Sequence, residues 1–142
     1  MVQEYTTLDD QKVKSNGSQK GKLILLQKIE DLIPYLHSKV VKFPRTDREW
    51  GKKIDNTMME LLELVLTANM QRDKRYKVKF FEQADIKLAV LKHLVRVACE
   101  MHMIQGEKVY AKISLQETEI GMLLGGLINH FTRLGKDVKK SQ

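Results

Sequence analysis

A chain of 142 residues has room for one hydrophobic core but not for two ordinary domains. Its 42% hydrophobic and 30% charged residues are the balance of a soluble globular fold; no apolar run reaches the ~18 residues of a membrane span, and the polar start lacks a signal-peptide core. The formal charge of +7 and pI of about 9.5 suit an acidic partner, nucleic acid first, and the single Cys99, with no second cysteine to bond, fits a reducing cytoplasm.

Residues 1–20 read as a flexible arm, polar and without sustained period, and carry Ser15-Asn16-Gly17-Ser18. A first helix is expected from about Lys22 to Lys42, with Leu25, Ile29, Leu32, Leu36 and Val40 at helical spacing. Pro34 should bend it, and Phe43-Pro44 should end it, because the residue before proline is pushed out of the α region. Thr46 or Asp47 then caps a second helix, with Glu49 placed as a capping box requires. That helix runs to about Met70 on Trp50, Ile54, Met58, Leu61, Val65 and Ala68. A short polar connection follows over Gln71 to Lys79.

The third helix, Phe80 to Ile104, is apolar over more than one stripe. Phe81, Ala84, Leu88, Leu91, Val95, Ala98 and His102 form one face; Ile86, Val90, Leu94, Val97 and Met101 lie beside it and widen the apolar arc to roughly 200°. A small domain has one core to fill, so the second set calls for another cover, from the same bundle or from another subunit. Gln105-Gly106 is expected to end this helix with a glycine cap. A fourth helix spans about Glu107 to Leu134 through Tyr110, Ile113, Ile120, Leu124, Leu127 and Phe131, closed by Gly135. Residues 136–142 read as a basic, mobile tail, leaving 21–135 as the folded domain. Long helices with short loops predict an all-α, up-down-up-down antiparallel four-helix bundle.

No constellation for catalysis is visible. A di-iron bundle needs Glu-x-x-His pairs, and none of His37, His93, His102 and His130 follows a glutamate by three residues. Cys99 and His102 are spaced i, i+3, but two ligands on one helix make no metal site, and both are read as core residues. Glu117 faces inward with Ile113 and Ile120; it is expected to pair with a basic side chain or to sit at a subunit seam, with a perturbed carboxylate as the alternative. No cofactor is expected.

Two features suit binding instead. Arg72, Lys74, Arg75, Lys77 and Lys79 surround Tyr76, a density that suits a phosphate backbone with an aromatic free to stack on a base; a merely solvated loop is the plain alternative. Arg45, Arg48, Lys52 and Lys53 form a second basic cluster at the opposite end of helix two. Gly121, Gly125 and Gly126 each cost about 1 kcal/mol within a helix, and Gly121 and Gly125 share a face that another helix could approach closely; a local kink is the alternative.

The order Phe43-Pro44-Arg45, Arg48, Gly51-Lys52-Lys53-Ile54 and Leu61-Leu62-Glu63-Leu64 resembles the accessory variability determinant (Avd) family of diversity-generating retroelements. Phe81-Glu82-Gln83-Ala84-Asp85-Ile86-Lys87-Leu88 and Ile120-Gly121-Met122-Leu123-Leu124-Gly125-Gly126-Leu127-Ile128 are similar to that family's third and fourth helices, so the likeness covers about residues 22–131. Trp50 stands where the family more often has phenylalanine, a swap expected to leave a buried aromatic undisturbed. The resemblance implies a homopentameric barrel of four-helix bundles that binds the element's reverse transcriptase and nucleic acid, with no catalytic residues of its own. It makes the basic residues above candidates for RNA or DNA contact. Ile86, Val90, Leu94, Val97, Met101, Gly121 and Gly125 become candidates for the seam between bundles. A sister family of four-helix-bundle proteins, encoded in insertions of bacterial ribosomal RNA genes, shares the pattern and has no polymerase partner.

Overall fold

The computed structural model of the protein describes residues 17–140, with side chains over 21–135. Most of the arm expected over 1–20, and the end of the tail, fall outside the described residues. Four helices make up the described chain, with no strand: α1 Gly17–Val40, α2 Arg48–Met70, α3 Lys74–Glu100 and α4 Glu107–Lys140. One apolar stripe of each helix turns inward. Leu25, Ile29, Leu32 and Leu36 meet Ile54, Leu61 and Val65 of α2, Phe81, Leu88 and Leu91 of α3, and Ile113, Ile120 and Leu124 of α4 in one buried core.

Each helix packs on two neighbours, in the cyclic order α1, α2, α3, α4, and the two diagonal pairs stay apart. Side-chain contacts show how the ends meet. Near the start of α2, Asp55 hydrogen-bonds His37 near the end of α1. Trp50, also at the start of α2, reaches Leu94 of α3, while Lys77 at the start of α3 reaches the end of α2. Phe81 of α3 stacks on Phe131 of α4 with ring centroids 6.1 Å apart, and Lys28 of α1 pairs with Glu119 of α4.

The helix ends depart from the sequence reading in four places. α1 begins at Gly17 and runs through Pro34 to Val40. The capping box at Thr46 and Asp47 does not form. Residues Arg45–Asp47 are wound into a 3₁₀ turn leading straight into α2, so the Asp47 N–H goes to the Pro44 carbonyl and the Arg48 N–H to the Arg45 carbonyl. The basic stretch is not a loop: Asp73 caps α3 by accepting the Arg75 N–H at 2.8 Å, and the helix begins at Lys74. α4 continues past Gly135 to Lys140, that glycine making no left-handed turn.

The end of α3 also corrects the sequence reading. His102, not Gly106, is the left-handed residue that caps α3, with φ of 63°. The Met103 N–H reaches the Ala98 carbonyl at 2.8 Å and the His102 N–H the Cys99 carbonyl at 3.1 Å, the two bonds of a Schellman cap. His102 is therefore an exposed turn residue and not part of the core, whereas Cys99 stays half-buried against it. Gly106, with φ of 99°, instead opens α4, its carbonyl accepting the Tyr110 N–H. Histidine tolerates the left-handed region better than most residues but less well than glycine. His102→Gly should raise stability by roughly 0.5–1 kcal/mol, seen as a higher urea midpoint at unchanged slope.

Trp50 does more than fill the space a phenylalanine would. Its half-buried indole N–H donates to the Leu94 carbonyl at 3.0 Å, tying the start of α2 to the last turns of α3. Trp50→Phe removes that donor and should cost about 1 kcal/mol in urea denaturation.

Candidate nucleic-acid interface

α2 is continuous over 23 residues, so at ~1.5 Å per residue its ends stand about 33 Å apart. The two basic clusters sit at these two ends, and the structure does not bring them together within the chain.

At the start of α2, Arg45 and Arg48 are exposed at the 3₁₀ turn, and Lys52 and Lys53 on the first turns of the helix. Lys52 leans toward Glu49 at 3.4 Å, an exposed pair that contributes little. The same end gains two cations that sequence reasoning missed. Lys39 and Lys112 place their Nζ atoms 5.0 and 4.2 Å from the ring centre of Tyr35, one from α1 and one from α4. The Tyr35–Lys39 spacing of four on one helix carried a signal; the approach of Lys112 did not, because it depends on α4 lying beside α1.

At the other end, Arg72 is exposed in the short Gln71–Asp73 connection, and Lys79 and Tyr76 on the first turns of α3. Lys74 is half-buried. Arg75 is exposed but folds back on Asp73, which lowers the carboxyl and raises the guanidinium through their hydrogen bond. Lys77 differs from all of these. It is 8% exposed, and its Nζ donates at 3.3 Å to the Ala68 carbonyl, which also accepts the Gln71 N–H, and at 3.1 Å to the Asn69 carbonyl, one of those that a helix C-terminus leaves open. Burial, then the charge of Lys22, pushes it down to about 8. Both ammonium groups face the Phe131 ring, Lys22 at 4.9 Å and Lys77 at 5.8 Å. Lys77 is a structural cap, and its place in the basic run is corrected accordingly.

The apolar stripe on the outside of α3 is mostly open. Ile86 is 63% and Met101 59% exposed, and Val90 is exposed as well. Val97 is half-covered, and Leu94 packs against the core beside Trp50. A Cβ added to Gly121 would meet Leu88 and Lys92 of α3 at 3.4 and 3.7 Å, so Gly121 lies in the seam with α3, whereas Gly125 has nothing within 4 Å. Further exposed apolar side chains lie on α2 (Met59, Leu66, Met70) and α4 (Leu115, Met122). Among the described residues no group of three or more His, Cys, Asp or Glu side chains is placed to hold a metal ion. No helix among them is long and apolar enough to cross a membrane.

The family model described as bAvd-like matches residues 23–131, from the first turns of α1 to the ring of Phe131. The chain belongs to the bAvd-like family. No curated protein matches it. The bAvd-like region takes in both basic clusters and the whole open stripe of α3, as well as the Schellman cap and the short connections that set the helix order. It ends where Phe131 closes the core between α3 and α4.

Proposed function

We propose that this bAvd-like chain is a non-enzymatic accessory protein of a diversity-generating retroelement, binding the element's reverse transcriptase together with template RNA and cDNA in the cytoplasm. Family membership over residues 23–131 carries the reading. The helix contacts support an up-down-up-down antiparallel bundle, since each neighbouring pair brings the start of one helix to the end of the next. The open stripe of Ile86, Val90, Val97 and Met101 supports assembly into a homo-oligomer, with a pentameric barrel as the form proposed. A ring would repeat each basic end around one axis and concentrate a charge of +7 per chain into a field that attracts phosphate.

Nucleic-acid contact is assigned to Arg45, Arg48, Lys52 and Lys53 at one end and to Arg72, Lys74, Arg75 and Lys79 at the other, with Lys77 left to its capping role. The test is binding to a structured RNA across a salt series, with each cluster changed to alanine in turn. Removing a cation that pairs with a phosphate should flatten the slope of log affinity against log salt by about one. An affinity indifferent to salt and to both sets of changes overturns the assignment. Co-purification with a reverse transcriptase encoded beside this gene tests the partner, and native mass determination tests the assembly. A free monomer at micromolar concentration contradicts the barrel.

A further inference from the structure

Among the described residues three polar side chains are buried, and two have partners. Thr57 donates its hydroxyl to the Lys53 carbonyl, and Lys77 caps α2. Glu117 has no such explanation. It is 2% exposed, on the inward face of α4 between Ile113 and Ile120, and its Oε2 has no hydrogen-bond partner. An orphaned carboxylate oxygen in a core is costly when ionised and needs a physical account.

One turn along α4 from Glu117 is Gly121, and the Lys92 Nζ of α3 lies 3.7 Å from where a Gly121 side chain would begin. Lys92 is exposed and makes no ion pair among the described residues. On α3, Lys92 and the half-buried Cys99 thiol are coupled to the charge of Glu117. On α4 itself the nearby Glu119 is held by Lys28 of α1.

We propose that Glu117 is a proton-operated latch on the seam between α3 and α4. Protonated, it is sealed in the core with Ile113 and Ile120. Ionised, it draws the Lys92 ammonium across the bare backbone of Gly121 into the seam. Gly121 lines this seam: a Cβ there would lie in van der Waals contact with the Leu88 side chain and the Lys92 Nζ. Burial pushes the Glu117 carboxyl up to about 7, with Lys92 acting in the opposite sense, so the latch switches near neutral pH. A raised carboxyl holds more protons in the folded state than in the unfolded one. The stabilisation is therefore complete below about 4.5 and lost as pH rises through about 7.

The experiment is urea denaturation between pH 4.5 and 8.5, together with NMR titration of the Glu117 side-chain carboxyl carbon in the folded protein. For the unmodified chain the unfolding constant should rise on the order of a hundredfold across that range, with the carboxyl carbon titrating near neutral pH. Glu117→Gln should flatten this component. Lys92→Met should move the carboxyl midpoint to higher pH by removing the ammonium that favours the ionised form. A carboxyl carbon that titrates near 4.5 overturns the latch, and so does a midpoint that Lys92→Met leaves unmoved. The carbon is read in folded protein, so the result stands even if Glu117→Gln folds poorly.

Discussion

Phe131→Ala is expected to destabilise the chain by about 3–5 kcal/mol, a large loss for one side chain. The ring is 5% exposed and stacks on Phe81, so its removal opens a cavity at the α3–α4 seam where the core ends. It also removes the π face beneath two ammonium groups, Lys22 and Lys77, the second already penalised by burial and by the charge of the first. Phe131→Leu separates the two contributions. It keeps most of the volume and should cost only about 1–1.5 kcal/mol, while driving Lys77 below its present value of about 8. A lysine lowered on folding holds fewer protons in the folded state, so its share of stability is poorest below about 8 and recovers as pH climbs toward 10.5. Urea denaturation of the three chains at pH 7 and pH 9.5 checks both points. A Phe131→Leu chain as unstable as Phe131→Ala would show that the ring's electrostatic role dominates its packing.

Gly51→Ala should destabilise by about 1–2 kcal/mol, although alanine favours a helix by about 1 kcal/mol over glycine. The reason is steric. A Cβ at position 51 would stand 2.7 Å from the Val40 Cγ1 and 3.2 Å from the Phe43 ring, where the end of α1 crosses the start of α2. Val40 is β-branched and buried, so its methyl cannot turn aside without leaving its rotamer. The second substitution Val40→Ala should therefore rescue part of the loss, giving a coupling of about 0.5–2 kcal/mol in a double-mutant cycle. Purely additive effects would show that the strain lies in the helix backbone instead. Because this crossing carries the 3₁₀ turn with Arg45 and the adjoining Arg48, the same variant should also blur the geometry of that basic end, visible as weaker RNA binding at fixed salt.

The helical stripes were legible because burial repeats with the helix period: Leu25 to Val40, Ile54 to Ala68, Phe81 to Ala98 and Ile113 to Phe131 all turn inward as their spacing requires. The helix ends were less so. Gly106 is the residue type that favours a left-handed cap, yet α3 stops four residues earlier on His102, because Met103 and Ile104 are pulled into the core. At Asp47 a 3₁₀ turn provided backbone partners before a side-chain cap was needed. In the basic run, composition gave five cations one role, but position gave them three. Arg72, Lys79 and, in part, Lys74 face solvent, Arg75 answers Asp73, and Lys77 is withdrawn to close α2.

By itself the amino-acid sequence determined the number of helices, which face of each is apolar, the excess of positive charge and the family to which the chain belongs. The first three depend on local period and composition, which no neighbour can alter, and the family on the order of its motifs along the chain. The tertiary structure alone decided which exposed residues remain open, which cations share the rings of Tyr35 and Phe131, and that Glu117 is buried without a partner. Each of these is set by the side chains that an adjacent helix brings up, and residues such as Lys77 and Phe131, or Lys92 and Gly121, meet only when the helices pack.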